Sequence, residues 1–161
     1  MLTIRVSKLS DIEGCLECLK DSLLADNYFQ DTGKIENGIM DAIEKGEIYV
    51  ASNEEEIIGV MRIDYKGMFG EFPILRLISV KSTHRSKRIG SLMLEYFEKA
   101  GFSKGSRIFL CVSDFNKRAK LLYFKKGFME IGKIQNLYKE GITEFIMMKE
   151  KKKEWFNFHS V

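Results

Sequence analysis

At 161 residues, 45% apolar and 30% charged, the chain has the length and composition of one folded domain with its own core, which excludes a disordered or collagen-like polymer. No run approaches about 18 uncharged apolar residues, so no spanning helix and no membrane partner are expected; Met1–Lys8 also lacks the apolar core of a signal peptide. An odd count of three cysteines argues against a secreted disulfide scaffold, which leaves a cytoplasmic protein as the expectation. The formal net charge of +3 hides a split: residues 1–80 hold 8 Lys/Arg against 15 Asp/Glu, a net of −7, and residues 81–161 hold 18 against 8, a net of +10. Such a split is either clustering on solvated faces or the mark of two ligands, an anion for the second half and a cation for the first.

Leu2, Ile4 and Val6 alternate with polar residues and predict a half-buried strand. Ser10-Asp11-Ile12-Glu13 fits a capping box, opening a helix whose stripe is Ile12, Cys15, Leu16, Leu19 and Leu23. Asn27 to Gly33 reads as a polar loop, and Ile35, Ile39, Met40 and Ile43 mark a second helix stopped by Gly46. Ile48–Ala51 and Ile57–Tyr65 form a hairpin through Ser52-Asn53-Glu54-Glu55. Gly67 and Gly70 bracket another turn, and Pro73, the only proline, precedes a long strand, Ile74–Val80. Past a basic loop, Leu92, Met93, Tyr96, Phe97 and Ala100 repeat at helical spacing up to Gly101. A buried strand Ile108–Val112, a short helix Asn116–Lys126 closed by Gly127, and strands Phe128–Ile134 and Thr143–Met148 complete the order. Seven strands and four helices, with hairpins, give an α/β architecture on a partly antiparallel sheet.

The chemistry sits between Val80 and the helix that follows it, in His84-Arg85-Ser86-Lys87-Arg88-Ile89-Gly90-Ser91. A strand feeding a small basic loop that opens a helix is a phosphate cradle in kind, because free first-turn N–H groups and the helix dipole both favour an anion. Neither the Gly-Lys-Ser/Thr ending nor a three-glycine run of the common nucleotide loops is present. Arg85-x-x-Arg88-x-Gly90 resembles the R/Q-x-x-G-x-G/A loop of the GCN5-related N-acetyltransferase (GNAT) family, with Arg88 in place of the first glycine. A second family motif, N-x-x-A-x-x-x-Y-x-x-x-G-F, appears without a gap as Asn116, Ala119, Tyr123, Gly127 and Phe128. The resemblance covers residues 1–149 and implies a GNAT fold, a mixed sheet of about seven strands flanked by about four helices. Residues 150–161 then form a tail.

Bland readings stand beside these. Arg85–Ser91 has no interleaved aromatics, which argues for no nucleic-acid partner. Tyr123 is ordinary core and Asn116 an ordinary N-cap unless the motif assigns them more. Cys15 and Cys18 form a C-x-x-C with no second pair at zinc spacing, so no metal site is expected and one helix face explains them.

The resemblance implies an enzyme, an acyl-CoA-dependent N-acetyltransferase, with acetyl-CoA as co-substrate and an amine that attacks the thioester directly in a ternary complex. Backbone groups of Ile78, Ser79 and Val80 would pair with the pantetheine arm, Arg85, Ser86, Lys87, Arg88, Ile89, Gly90 and Ser91 would hold the pyrophosphate, and Asn116 would contact the cofactor. Tyr123 would protonate the leaving thiolate. The base stays open between Glu71, Asp64 and water. The acceptor is a small-molecule or peptide amine of unspecified kind. A catalytically silent acyl-CoA sensor or scaffold is the alternative. The tail carries Trp155, Phe156 and Phe158, aromatics costly to leave in water, so docking is expected either in cis or on a second subunit as a homodimer.

Overall fold

In the computed structural model, which describes residues 1–54 and 56–152, alternation of apolar and polar side chains has become seven strands in one sheet. The strands are β1 (Thr3–Val6), β2 (Ile48–Ser52), β3 (Ile57–Met68), β4 (Phe72–Val80), β5 (Arg107–Ser113), β6 (Met129–Gln135) and β7 (Thr143–Glu150). Their spatial order is β1-β2-β3-β4-β5-β7-β6, and every neighbouring pair is antiparallel except β4 and β5. The five α-helices among the described residues are α1 (Ile12–Leu19), α2 (Leu23–Tyr28), α3 (Thr32–Glu44), α4 (Ile89–Phe102) and α5 (Lys117–Lys125).

Strand alternation sends successive residues to opposite faces, and each face receives its own helices. Ile48, Val50 and Val60 join Cys15, Cys18, Leu19, Ile39, Ala42 and Ile43 under α1 and α3. Tyr49, Ala51, Met61 and Ile63 join Met93, Leu94 and Phe97 of α4 on the other face. Both cysteines of the C-x-x-C lie fully buried on α1, and burial pushes the Cys15 thiol up to about 12 and the Cys18 thiol up to about 11. They pack; among the described residues no three metal-ligating side chains gather.

Four local expectations are corrected. No side-chain bond from Asp11 caps α1; the Asp11 carboxylate instead reaches back over the 3₁₀ turn Leu9–Asp11, accepting the Lys8 N–H at 2.8 Å and pairing with Arg5 at 2.7 Å, so the expected Ser10–Glu13 box is not formed. α1 stops at Leu19 because Lys20 is extended and Asp21 is left-handed (φ 57°); Leu23 therefore starts α2, capped by Ser22 accepting Ala25 N–H at 3.0 Å. The segment read as a loop, Asn27 to Gly33, holds the end of α2 and the start of α3, whose N-cap Asp31 accepts through its carboxylate from Gly33 and Lys34. Likewise β3 runs through Gly67, and the turn falls on Phe69 and Gly70, both at positive φ.

Among the described residues no helix is long and apolar enough to cross a membrane. β7 ends at Glu150, opposite Arg107, and Lys151 N–H still reaches the Ser106 carbonyl at 2.8 Å. The expected docking of Trp155, Phe156 and Phe158 lies outside the described residues.

Candidate active site

β4 and β5 pair at only two positions, Ile74 with Phe109 and Leu75 with Leu110. β4 then continues to Val80 and β5 to Ser113, and the wedge between them is a cavity of about 350 Å³. Its walls are Ile74–Ile78 of β4, Cys111–Ser113 of β5, Asn116 and Tyr123 at α5, Tyr28 and Phe29 at the end of α2, and Glu144 of β7.

The open edge of β4 follows from register. Lys81 N–H donates to the Ile58 carbonyl opposite it at 2.9 Å, so alternation makes Ser79–Val60 a hydrogen-bonded pair and turns the N–H and C=O of Ile78 and Val80 away from β3. The Val80 carbonyl is taken by Arg85 Nε at 3.1 Å. Ile78 N–H, Ile78 C=O and Val80 N–H thus face the wedge. Ser79 faces β3 instead, and its buried hydroxyl donates to the Cys18 carbonyl at 2.6 Å.

After Val80 the chain makes a 3₁₀ turn, Ser82–His84, and enters the basic loop. Arg85 braces this loop, donating also to the Asp21 carbonyl at 3.0 Å. Ser86 (φ 63°) and Arg88 (φ 64°) are left-handed, the conformation that glycine adopts without strain. Ser86 is tied to α5 by Arg118 at 3.2 Å, while Lys87 and Arg88 are exposed. Among the described residues no side chain caps α4; the Ile89, Gly90 and Ser91 N–H groups precede its first helical bond, Leu92 N–H to the Arg88 carbonyl at 3.0 Å. The Ile89 side chain is core, so the loop side of that residue is its backbone. A Cβ added to Gly90 would meet nothing nearer than Val80 Cγ2 at 3.7 Å, so packing within the protein does not demand a glycine there.

The second motif has a clear local logic. The Asn116 side chain accepts Ala119 N–H at 3.2 Å and caps α5, and Gly127 (φ 87°) ends it, with Phe128 N–H reaching back to the Tyr123 carbonyl at 3.0 Å. Between these stops the helix holds Tyr123 against Phe128, ring centroids 6.1 Å apart. Tyr123 is 6% exposed and lines the cavity, and its hydroxyl has no hydrogen-bond partner among the described residues. Burial pushes this phenol up to about 12.

Sequence reasoning missed the opposite wall. Glu144, 3% exposed, accepts at one oxygen, Oε1, from Ser113 Oγ at 2.6 Å and from the Tyr28 hydroxyl, which itself lies 3.0 Å from Ser113 Oγ. The three come from α2, β5 and β7, so no spacing announces them; the one available signal is a lone acid inside an apolar strand. Burial and the Glu144 carboxylate raise the Tyr28 phenol well above its ordinary value. The carboxylates expected as bases sit elsewhere. Asp64 pairs with Arg76 at 3.0 Å, and Glu71 is exposed in the β3–β4 turn.

A family model described as "Acetyltransferase (GNAT) domain" matches residues 44–130, from the end of α3 into β6. The chain belongs to the GNAT acetyltransferase family. Solved structures share the fold: a GNAT-family acetyltransferase from Bacillus cereus ATCC 10987 (22% identity, 95% of this chain and 99% of that one, TM-score 0.76), Ard1 from Thermoplasma volcanium (18%, 94% and 99%, TM-score 0.79), and the ribosomal-protein-S18-alanine N-acetyltransferase of Escherichia coli (17%, 99% and 100%, TM-score 0.76). No curated protein sequence matches.

Proposed function

We propose that the protein transfers an acetyl group from acetyl-CoA to a primary amine by direct attack within a ternary complex. The observation that carries this reading is the wedge itself: a stretch of β4 edge and a buried phenol, both without a partner among the described residues, open on one cavity. An extended pantetheine arm would add to the β4 edge at Ile78 and Val80 as a short strand does, and an N–H left over there would polarise the thioester carbonyl. The uncapped start of α4, with Lys87, Arg88 and the spare room at Gly90, suits the pyrophosphate. Arg85 and Ser86 serve this site by shaping the loop, and Ser79 by anchoring β4 to α1. Asn116, besides capping α5, keeps its amide nitrogen for the arm. Tyr123, held protonated by burial, would give its proton to the departing thiolate.

Turnover of acetyl-CoA against a mixed panel of primary amines, small amines and short peptides together, read by release of free thiol, tests this. Amine-dependent thiol release is expected. Binding of acetyl-CoA with no release for any amine would leave a silent acyl-CoA binder as the function.

A further inference from the structure

Resting on the acetyl-transfer reading above, we propose that Tyr28, Ser113 and Glu144 form the acceptor site: Glu144 binds the acceptor as a primary ammonium ion and takes its proton. Burying a carboxylate without a cation is costly unless something else neutralises it. Glu144 is 3% exposed and forms no ion pair among the described residues; Arg76, the cation on the same cavity wall, is spent on Asp64. Both hydroxyls donate to Oε1, an arrangement suited to an anion, and Oε2 has no partner among the described residues. The missing counter-charge is what an alkylammonium supplies. Beside the carboxylate, the Tyr28 ring meets Phe115 (centroids 5.7 Å apart) and Tyr138 (6.1 Å apart), so apolar and π surface flanks the position of the cation. The same cavity reaches Ile78 and Tyr123, where the thioester and the proton donor of the reaction belong.

The step balances. The ammonium loses a proton to the Glu144 carboxylate, and the freed nitrogen lone pair attacks the thioester carbonyl carbon. A C–N bond forms and the C–S bond breaks, with the sulfur leaving on its electron pair and taking the Tyr123 proton. The second nitrogen proton restores the Tyr123 phenol, and the Glu144 proton passes to solvent. The sum is ammonium plus thioester giving amide, thiol and one proton. Titratable and charged groups facing Glu144 are Tyr28 from α2, Arg76 from β4, Cys111 and Asp114 from β5 and its end, Tyr123 from α5, and Tyr138 between β6 and β7. Asp114 is engaged with Thr143 N–H at 3.1 Å.

The test uses the full chain with n-butylamine and 2-phenylethylamine as probes, and 1-butanol and 2-phenylethanol as uncharged controls. In wild type the amines, not the alcohols, should raise the melting temperature and support thiol release from acetyl-CoA. Glu144→Gln should abolish the amine-specific shift and lower kcat/KM about 10²–10⁴-fold near pH 7. Its remaining rate should climb about tenfold per pH unit towards the pKa of the amine, near 10.4, because only bulk water then deprotonates the acceptor. Ser113→Ala keeps the carboxylate but removes one donor to it, so the acid limb of its pH profile should move to higher pH; this variant decides the matter if Glu144→Gln does not fold. An unshifted limb, a Glu144→Gln protein with wild-type rate and pH profile, or a wild type that binds acetyl-CoA yet ignores every amine overturns the proposal. A wild type whose melt ignores acetyl-CoA instead overturns the reading on which it rests.

Discussion

Tyr123 offers to a cavity a phenol that has no hydrogen-bond partner among the described residues. Tyr123→Phe keeps the ring against Phe128 and deletes only the proton. Turnover should fall about 10²–10⁴-fold while acetyl-CoA affinity changes little, checked by steady-state rates beside equilibrium titration. The sign of its pH dependence follows from burial: with the phenol pushed up to about 12, the protonated donor persists across pH 6–9, so wild-type rate should show no alkaline loss from Tyr123 in that range. Wild-type rate in the mutant would make Tyr123 core alone. Asn116 and Tyr123 were legible because one gapless motif on a capped helix carries both. Glu144 was not, because its meaning comes from Tyr28, 116 residues away, and Ser113, 31 residues away.

The loop between β4 and α4 is the element on which the cofactor reading turns. Arg88, standing where the family pattern has glycine, is left-handed and immediately precedes the helix. A non-glycine residue in that conformation costs about 1 kcal/mol, so Arg88→Gly should raise the melting temperature by about 2–4 °C. The same change removes an exposed charge from the proposed anion site, so acetyl-CoA affinity should become less salt-dependent; calorimetric melts and titrations at two ionic strengths check both. A large affinity loss at low salt would mean that Arg88 holds a phosphate directly. At this scale the sequence showed strand, basic loop and helix in the right order, since apolar periodicity and Gly90 are local signals. It overran α1 through Leu23, because the left-handed Asp21 that breaks the helix has no glycine to mark it. It could not show that Arg85 is a brace, because one of its partners, the Asp21 carbonyl, lies on the α1–α2 link.

Across the whole molecule, the proposed function would give the mixed sheet and the charge split one use. Seven strands and the βαβ crossover through α4 were readable from periodicity, but the parting of β4 from β5 was not, since it depends on where pairing stops rather than on which residues form strands. The cationic second half supplies the loop at α4, and the acidic first half supplies α2, whose Leu24 and Tyr28 line the cavity. A ligand that binds only the folded chain stabilises it by RT ln(1 + [L]/Kd), about 2.7 kcal/mol at a hundredfold excess over Kd, so acetyl-CoA should raise the melting temperature by roughly 5–10 °C. A melt indifferent to millimolar acetyl-CoA would remove the cofactor from the account.

Occupation of the open edge of β4 by the cofactor arm is tested most directly by amide hydrogen exchange resolved to single residues, with and without acetyl-CoA. Ile78 N–H faces the wedge, and Ser79 N–H is already engaged with β3. Slowed exchange at Ile78 on adding acetyl-CoA, with little change at Ser79, is the predicted result. Exchange at Ile78 that stays unchanged while acetyl-CoA measurably binds would contradict the account.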